Sequence, residues 1–294
     1  MNERRSGYVA IIGRPNVGKS TLLNAFVKQK LAITTPKPQT TRHRIMGVLT
    51  EEAYQIVFLD TPGVFRPDYT LQSMMVKTAF ESMHDADVIL VLIEATWDKI
   101  SFESKLLAEL KSLNKPVILA INKIDLVAKD HILTLITEGK EIFPFVEFVP
   151  ISALKKDGLD DLLKVIVSNL PGGTFLFPSE TLTDLSERFF VSELIREVVF
   201  KQFRDEIPYS ATVKVIEFKH RKKLYIRAEI YVERESQKAI LIGEKGAALK
   251  RVGRLARKEI ELFLEEPVFL DLWVKVRKKW RSKQRDVKDL EYSP

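Results

Sequence analysis

Residues 13–20, Gly13-Arg14-Pro15-Asn16-Val17-Gly18-Lys19-Ser20, fill the pattern G-x-x-x-x-G-K-[ST] at every fixed position. The chemistry open to this spacing is the binding of a phosphate chain. Glycines let successive backbone N–H groups turn inward around an anion, and the N-terminus of a following helix adds partial positive charge at the same place. Lys19 reaches the outer phosphates, the Ser20 hydroxyl is a ligand for Mg²⁺, and Thr21 continues the cradle into the helix. A glycine turn before an ordinary helix is the plainer reading, and the order of the motifs further along the chain decides against it.

Between Ile33 and His43 lie two prolines, four threonines and little apolar periodicity, which predicts a loop that can be ordered or released. A threonine at this distance completes a Mg²⁺ shell when a γ-phosphate is present; Thr41 is the first choice and Thr40 the second. Next comes Asp60-Thr61-Pro62-Gly63. An acid at the C-terminal end of a buried strand faces the crevice where open α/β sheets bind ligands, so Asp60 is the expected acidic partner of the metal and Gly63 an N–H donor to the γ-phosphate. Lys19, Thr41 and Gly63 are therefore the expected catalytic set. Val64-Phe65 follows, so a glutamine that orients the attacking water in many small GTPases is missing from its usual place.

Asn122-Lys123-Ile124-Asp125 selects the base. The Asp125 carboxylate accepts both the ring N–H and the exocyclic amine of guanine, whereas adenine offers no matching pair of donors. A buried acceptor left unpaired costs on the order of 1–3 kcal/mol or more. The stem of Lys123 lies over the base plane, and Asn122 ties this loop to the phosphate loop. In Ser152-Ala153-Leu154 the alanine N–H is expected to meet guanine O6.

Elements of the right kind stand in position to carry these residues. Tyr8–Ile12 predicts a strand, Ser20–Val27 a helix, Ile45–Thr50 and Tyr54–Leu59 a hairpin pair, and Asp87–Ile93 and Pro116–Ile121 central parallel strands. Helices are expected over Leu71–Ser82, over Ser101–Leu113 with Ser101 as N-cap, and over Asp157–Leu170; Glu147–Pro150 supplies another strand. The fold class is α/β, a phosphate-loop domain with a mostly parallel sheet, followed by a second, α+β domain.

G-R-P-N-V-G-K-S, Q-T-T-R-H-R, D-T-P-G, N-K-I-D and S-A-L resemble the five ordered elements of translation-factor-related GTPases, and Q-T-T-R-H-R is similar in particular to the Era family. The resemblance implies binding of GTP and GDP with Mg²⁺, and hydrolysis of the γ-phosphate. Asn16, with the missing glutamine, also resembles GTPases that place K⁺ beside the phosphates.

Pro171-Gly172-Gly173-Thr174-Phe175-Leu176-Phe177-Pro178 reads as a connection, giving a nucleotide domain over 1–172, a linker over 173–184 and a second domain over 185–294. Beyond it a long helix, Ser186–Phe203, is followed by alternating strands Ala211–Phe218 and Lys223–Glu233 around the basic turn Lys219-His220-Arg221-Lys222. A short helix Ser236–Ile242, the tetrapeptide Gly243-Glu244-Lys245-Gly246, a helix to about Glu265 and a strand Val268–Val276 complete the order α-β-β-α-α-β. Glycines between two helices permit close approach of a nucleic-acid backbone. Lys250, Arg251, Arg254, Arg257 and Lys258 make the following helix basic, and Ile240, Leu241 and Ile242 offer an apolar wall for unpaired bases. The pattern is similar to a type II KH domain, as found C-terminal to the GTPase domain in the Era family. That resemblance implies single-stranded RNA at the 3′ end of 16S rRNA as ligand, during 30S subunit assembly. A helical hairpin with a glycine turn is the plainer alternative.

Charge agrees with a polyanion for the second domain. Residues 1–180 carry 21 Lys+Arg against 21 Asp+Glu, and residues 181–294 carry 26 against 19, so the whole excess of +7 lies in the last third. Hydrophobic residues at 45% exclude a disordered chain, and the absence of cysteine excludes disulfides, thiol catalysis and cysteine-ligated zinc. No apolar run approaches a membrane span, and Met1-Asn2-Glu3-Arg4-Arg5 leads into a strand without a signal-peptide core, so a cytoplasmic home is the default; a monomer is the expected state. Two other function classes are weighed: an RNA-binding module with nucleotide as a structural ligand, and a G protein held peripherally on the inner face of the membrane through its basic C-terminal part. The tail Lys275–Lys288, with Trp280, reads either as more RNA surface or as solvated chain.

Overall fold

Apolar runs too long for a half-buried strand become the centre of a six-stranded sheet in a computed structural model that describes residues 4–220 and 222–292. Met1, Asn2 and Glu3 of the lead-in and Arg221 of the basic turn lie outside the described residues. The strands are β1 (Arg5–Gly13), β2 (Ile45–Thr50), β3 (Tyr54–Asp60), β4 (Val88–Glu94), β5 (Val117–Asn122) and β6 (Glu147–Pro150), in the order β2-β3-β1-β4-β5-β6. Only the β2–β3 pair is antiparallel. Ile89, Leu90, Val91, Leu92 and Ile93 of β4 are all fully buried, which is why that strand shows no alternation.

Five helices accompany this sheet: α1 (Lys19–Val27), α2 (Thr70–Asp85), α3 (Ser104–Leu113), α4 (Lys129–Ile142) and α5 (Leu159–Asn169). Several expected boundaries move, among them β1, which begins at Arg5, and α2, which runs on to Asp85; at two helix starts the reason is local. Ser101 is not the cap of α3; Glu103 takes that place with extended backbone, and its carbonyl accepts from Leu106 N and Leu107 N. Helix α5 starts two residues late because Gly158 occupies the left-handed region at φ 69 as its N-cap. Helix α4 has no counterpart in the sequence reading; it buries Ile132 and Leu135 against the sheet core.

Two compact units divide the chain, one of residues up to 66 together with 74–184, the other of residues 67–73 together with those from 185 on. Residues 173–184, expected to be a linker, pack within the first unit. Gln55 Oε1 accepts from Leu176 N and Phe177 N, Val48 N donates to Leu182 O, and Ser6 Oγ donates to Thr174 O. The short segment 67–73, which follows the D-T-P-G stretch, packs within the second unit instead. There the Arg281 guanidinium lies 4.9 Å from the Tyr69 ring centroid and Thr70 Oγ1 donates to Ser282 O at 3.0 Å.

The second unit contains α6 (Glu187–Gln202), α7 (Ile207–Ser210), β7 (Thr212–His220), β8 (Leu224–Val232), α8 (Glu235–Ile242), α9 (Ala247–Leu264), β9 (Val268–Val276) and α10 (Gln284–Glu291). Its sheet runs β7-β8-β9, with β8 antiparallel to β7 and parallel to β9. Ser186 caps α6 by accepting from Phe189 N. The apolar positions of α9, Val252, Ala256 and Ile260, are buried with Ile226, Ala228 and Ile230 of β8. Leu241 is fully buried in the same core, so it is not part of the apolar wall expected of residues 240–242. The tail is neither loose nor merely solvated: Trp280 is fully buried with its indole N–H donating to Ser210 O at 2.9 Å, and Arg277 pairs with Asp286 and Asp289.

Candidate nucleotide and nucleic-acid sites

The crevice at the C-terminal ends of β1, β3 and β5 opens into a cavity of about 390 Å³. Pro15, Asn16, Gly18, Lys19, Ser20 and Thr21 line one wall, Thr40, Thr41 and Gly63 another, and Asn122, Lys123, Asp125, Ser152 and Leu154 the far end. Gly13, Val17, Asp60, Pro62, Val64 and Ala153 stand behind this lining rather than in it. Glycine is required at two of the positions for physical reasons. Gly18 has φ 101, and a Cβ there would meet Asn122 Nδ2 at 2.2 Å; a Cβ at Gly63 would meet the Pro15 nitrogen at 2.6 Å.

Lys19 is buried, and its ammonium donates to Gly13 O at 3.1 Å and Arg14 O at 2.9 Å. Burial lowers its pKa to about 8, opposed by the attraction of Asp60. Asp60 is pushed up to about 6 by burial, with Lys19 and hydrogen bonds from Ser20 and the Thr61 backbone acting the other way. The Ser20 hydroxyl donates to Asp60 Oδ2 at 2.6 Å and lies 2.8 Å from Thr41 Oγ1. These three side chains thus converge from α1, the 33–43 loop and β3. Thr40, the second choice, spends its hydroxyl inside the loop on Thr35 Oγ1 and Lys37 O.

Asp60 Oδ1 is buried without a hydrogen-bond partner among the described residues. An orphaned carboxylate oxygen beside two hydroxyls is an all-oxygen donor set, and it fits a hard divalent cation that takes its remaining ligands from water and phosphate.

Two expected site residues turn elsewhere. The Arg14 guanidinium leaves the cavity for the Trp97 ring, 5.3 Å from its centroid, and for Glu103 at 3.9 Å. Thr61 is fully buried and its hydroxyl donates to Ile11 O at 2.8 Å, an anchor for β3 against β1. Asn16, at φ 66, donates its side-chain amide to Pro36 O at 2.9 Å and so joins the phosphate loop to the threonine loop. Val64 is buried with its N–H on Gly13 O, and Phe65 packs on the core, so neither side chain reaches into the cavity.

At the base end, Asn122 is a hub. Its amide donates to Val17 O at 2.7 Å and its oxygen accepts from Ala153 N at 2.9 Å. The Ala153 N–H expected at guanine O6 is therefore committed to Asn122. Ser152 Oγ donates to Asp125 Oδ1 at 2.6 Å and fixes that carboxylate, whose neighbours Leu126 and Leu154 are 62% and 74% exposed and supply an apolar lining. Lys123, at φ 68, pairs with Glu94 at 2.7 Å. Glu94 and Leu126 are absent from the sequence-derived set. Glu94 was findable, because it ends β4 in register with Asn122, at the same sheet edge that singles out Asp60.

In the second unit, Gly243 (φ 73) and Gly246 (φ 79) bracket an exposed turn with Glu244 and Lys245, between α8 and α9. A Cβ on Gly243 would meet Ala248 at 2.7 Å, whereas one on Gly246 would point into open space. Lys250, Arg251 and Arg254 are all carried on α9, and none has an ion-pair partner among the described residues. Ile240 is 56% exposed and Ile242 is partly buried, which leaves a short apolar strip beside the turn.

The model of a family described as "50S ribosome-binding GTPase" matches residues 8–123, and a KH domain model matches residues 206–281. The chain is 49% identical over 290 residues to the GTPase Era of Geotalea uraniireducens, covering 98% of each. It is 47% identical to that of Geobacter metallireducens, covering 99% of each. Among solved structures, a variant Era of Aquifex aeolicus bound to GDP·AlF4⁻ superposes with a TM-score of 0.94 at 44% identity. An Era in complex with MgGDPNP and nucleotides 1506–1542 of 16S ribosomal RNA gives 0.95 at 44%. In both comparisons 99% of this chain and 100% of the other are covered.

Proposed function

The chain belongs to the Era family of GTPases, and we propose that it hydrolyses GTP in the first unit while the second grips single-stranded RNA at the 3′ end of 16S rRNA during 30S subunit assembly. The observation that carries the enzymatic half is the cluster Ser20–Asp60–Thr41 with its orphaned Asp60 oxygen, next to the buried Lys19. Ser20, Thr41 and Asp60 would hold Mg²⁺, directly or through water, and the ion would neutralise charge on the β- and γ-phosphates. Lys19 and the Gly63 N–H supply further positive character toward the γ-phosphate, and Asp125, held by Ser152, reads guanine. Since Val64 and Phe65 send no side chain into the site, Asn16 is assigned to a K⁺ that adds positive charge.

The RNA half rests on a KH-type turn with open space at Gly246 and three cations on α9 that have no ion-pair partner among the described residues. We assign Ile240, Ile242, Gly243, Glu244, Lys245, Gly246, Lys250, Arg251 and Arg254 to that contact. The finer reading is a cytoplasmic monomer whose basic second unit adds a peripheral hold on anionic lipid; no described helix is long and apolar enough to cross a membrane. Hydrolysis of GTP but not ATP, abolished by EDTA and faster in K⁺ than in Na⁺, is the expected outcome. Equal hydrolysis of both nucleotides would refute the base assignment, and equal rates in the two salts the K⁺ assignment. Gel filtration tests the monomer, and co-sedimentation with anionic liposomes in the absence of RNA tests the lipid contact.

A further inference from the structure

The sheet β7-β8-β9 has two faces: helices α6 and α9 cover one, and on the other helix α10 packs against the start of β7, leaving the rest of that face open. Along β8 the residues Leu224, Ile226, Ala228, Ile230 and Val232 point into that core and are essentially inaccessible. The alternate residues Tyr225, Arg227 and Glu229 lie on the other face, in register with Phe269, Asp271 and Trp273 of β9. Phe269 is 60% and Trp273 51% exposed, an unusual use of two large aromatic side chains on an open sheet.

These rings are held in place. Tyr225 and Phe269 stack with centroids 5.8 Å apart and planes 13° from parallel. The Arg227 guanidinium lies 5.4 Å from the Trp273 ring centroid. Asp271 accepts from both the Trp273 indole N–H at 3.0 Å and the Tyr225 hydroxyl at 3.3 Å. The acids on this face are engaged: Asp271 by those two donors, Glu217 by Lys219 and Arg227, and Glu229 by Lys275 and the Tyr231 hydroxyl. Helix α10 closes the far end, where Lys214 pairs with Asp289. At the near end, just before Tyr225, the β7–β8 turn presents Lys222 and Lys223, both exposed and without an ion pair among the described residues.

We propose that this open face is a second single-stranded-RNA surface, on which unpaired bases stack against Phe269 and Trp273 while Lys222 and Lys223 take up phosphates. Rigid exposed rings beside unpaired cations are the chemistry of sequence-tolerant single-strand binding, since every base has a π-face. The surface lies on the opposite side of the sheet from the helix layer that carries the G-x-x-G turn. The inference rests on the RNA-binding reading of the second unit but needs nothing from that turn.

The test uses the full chain and fluorescent oligoadenylate of twelve nucleotides. Gly246→Asp disables the first groove, and residual affinity is expected to fall about a further tenfold when Phe269→Ala and Trp273→Ala are added. Lys222→Glu with Lys223→Glu is expected to lower it as well and to flatten its salt dependence. Ultraviolet cross-linking of the unmutated chain to the same oligonucleotide, followed by peptide mapping, is expected to label residues 268–275. Unchanged affinity in the aromatic variant with no label on that peptide overturns the proposal and assigns the face to a protein partner. Failure of the unmutated chain to bind any RNA would instead remove the underlying reading.

Discussion

The nucleotide site and the G-x-x-G surface are built on opposite principles. The first is assembled from β1, α1, the threonine loop, β3, β5 and the 152–154 loop, and its residues are bonded to one another: Ser20 to Asp60 and Thr41, Asn122 to Val17 and Ala153, Ser152 to Asp125. The second is local, a run from Ile240 to Arg254 on two helices and their turn, and its cations have no ion-pair partners among the described residues. A site of the first kind discriminates by leaving a buried group unpaired when the wrong ligand enters. A site of the second kind attracts by charge and close backbone approach, so its affinity must fall with salt.

Substitutions that strike the two regions should therefore fail differently. Asp60→Ala removes the proposed acidic partner of Mg²⁺ and leaves only the hydroxyls of Ser20 and Thr41, so single-turnover GTP hydrolysis is expected to drop by about 10²–10³-fold or more. Asp125→Asn leaves the cluster around Ser20 intact but replaces an acceptor with an amide. GTP affinity should fall about a hundredfold, while xanthosine triphosphate, whose base offers a carbonyl where guanine has its amine, should gain. A competition assay between the two nucleotides reads this directly.

In the second unit the effects should be smaller and depend on salt. Gly246→Asp fits sterically, because its Cβ meets nothing within 4 Å, so it places a carboxylate at the groove without the clash that Gly243→Asp would bring. RNA affinity should fall about tenfold, with only a small loss of melting temperature from the positive φ. Lys250→Ala and Arg254→Ala should each cost only a few-fold, uniformly across sequences, and each should reduce the slope of log K against log salt by about 0.7. An effect confined to one RNA sequence would contradict a phosphate contact.

The same contrast explains what could be read from the chain alone. Strands such as Ile45–Thr50 and Val268–Val276 and the motif order were legible because motif and pattern are local signals. Helix α4 escaped because Lys129–Ile142 is mostly polar and is held by Ile132 and Leu135 inserted into a distant core. The C-terminal helix escaped for a similar reason: its anchors, Arg277 with Asp286 and Asp289, Lys214 with Asp289, and Trp280 with Ser210, join segments up to 75 residues apart. The commitment of Arg14 to Trp97 and of Thr61 to Ile11 is likewise tertiary; a motif names positions, but packing decides where each side chain points. Nor could periodicity reveal that residues 67–73, only a few positions beyond Gly63, belong to the second unit, where Tyr69 and Thr70 meet Arg281 and Ser282.

Residues 67–73 follow Gly63 closely in the chain yet belong to the second unit, so nucleotide state and the proposed RNA binding should be linked within one chain. Single-turnover GTP hydrolysis with and without a single-stranded RNA from the 3′ end of small-subunit rRNA, for the unmodified chain and for Gly246→Asp, tests this linkage. Marked stimulation by RNA that is lost in the variant is the predicted result. Equal hydrolysis in all four conditions, with RNA binding to the unmodified chain intact, would contradict it and leave two independent modules.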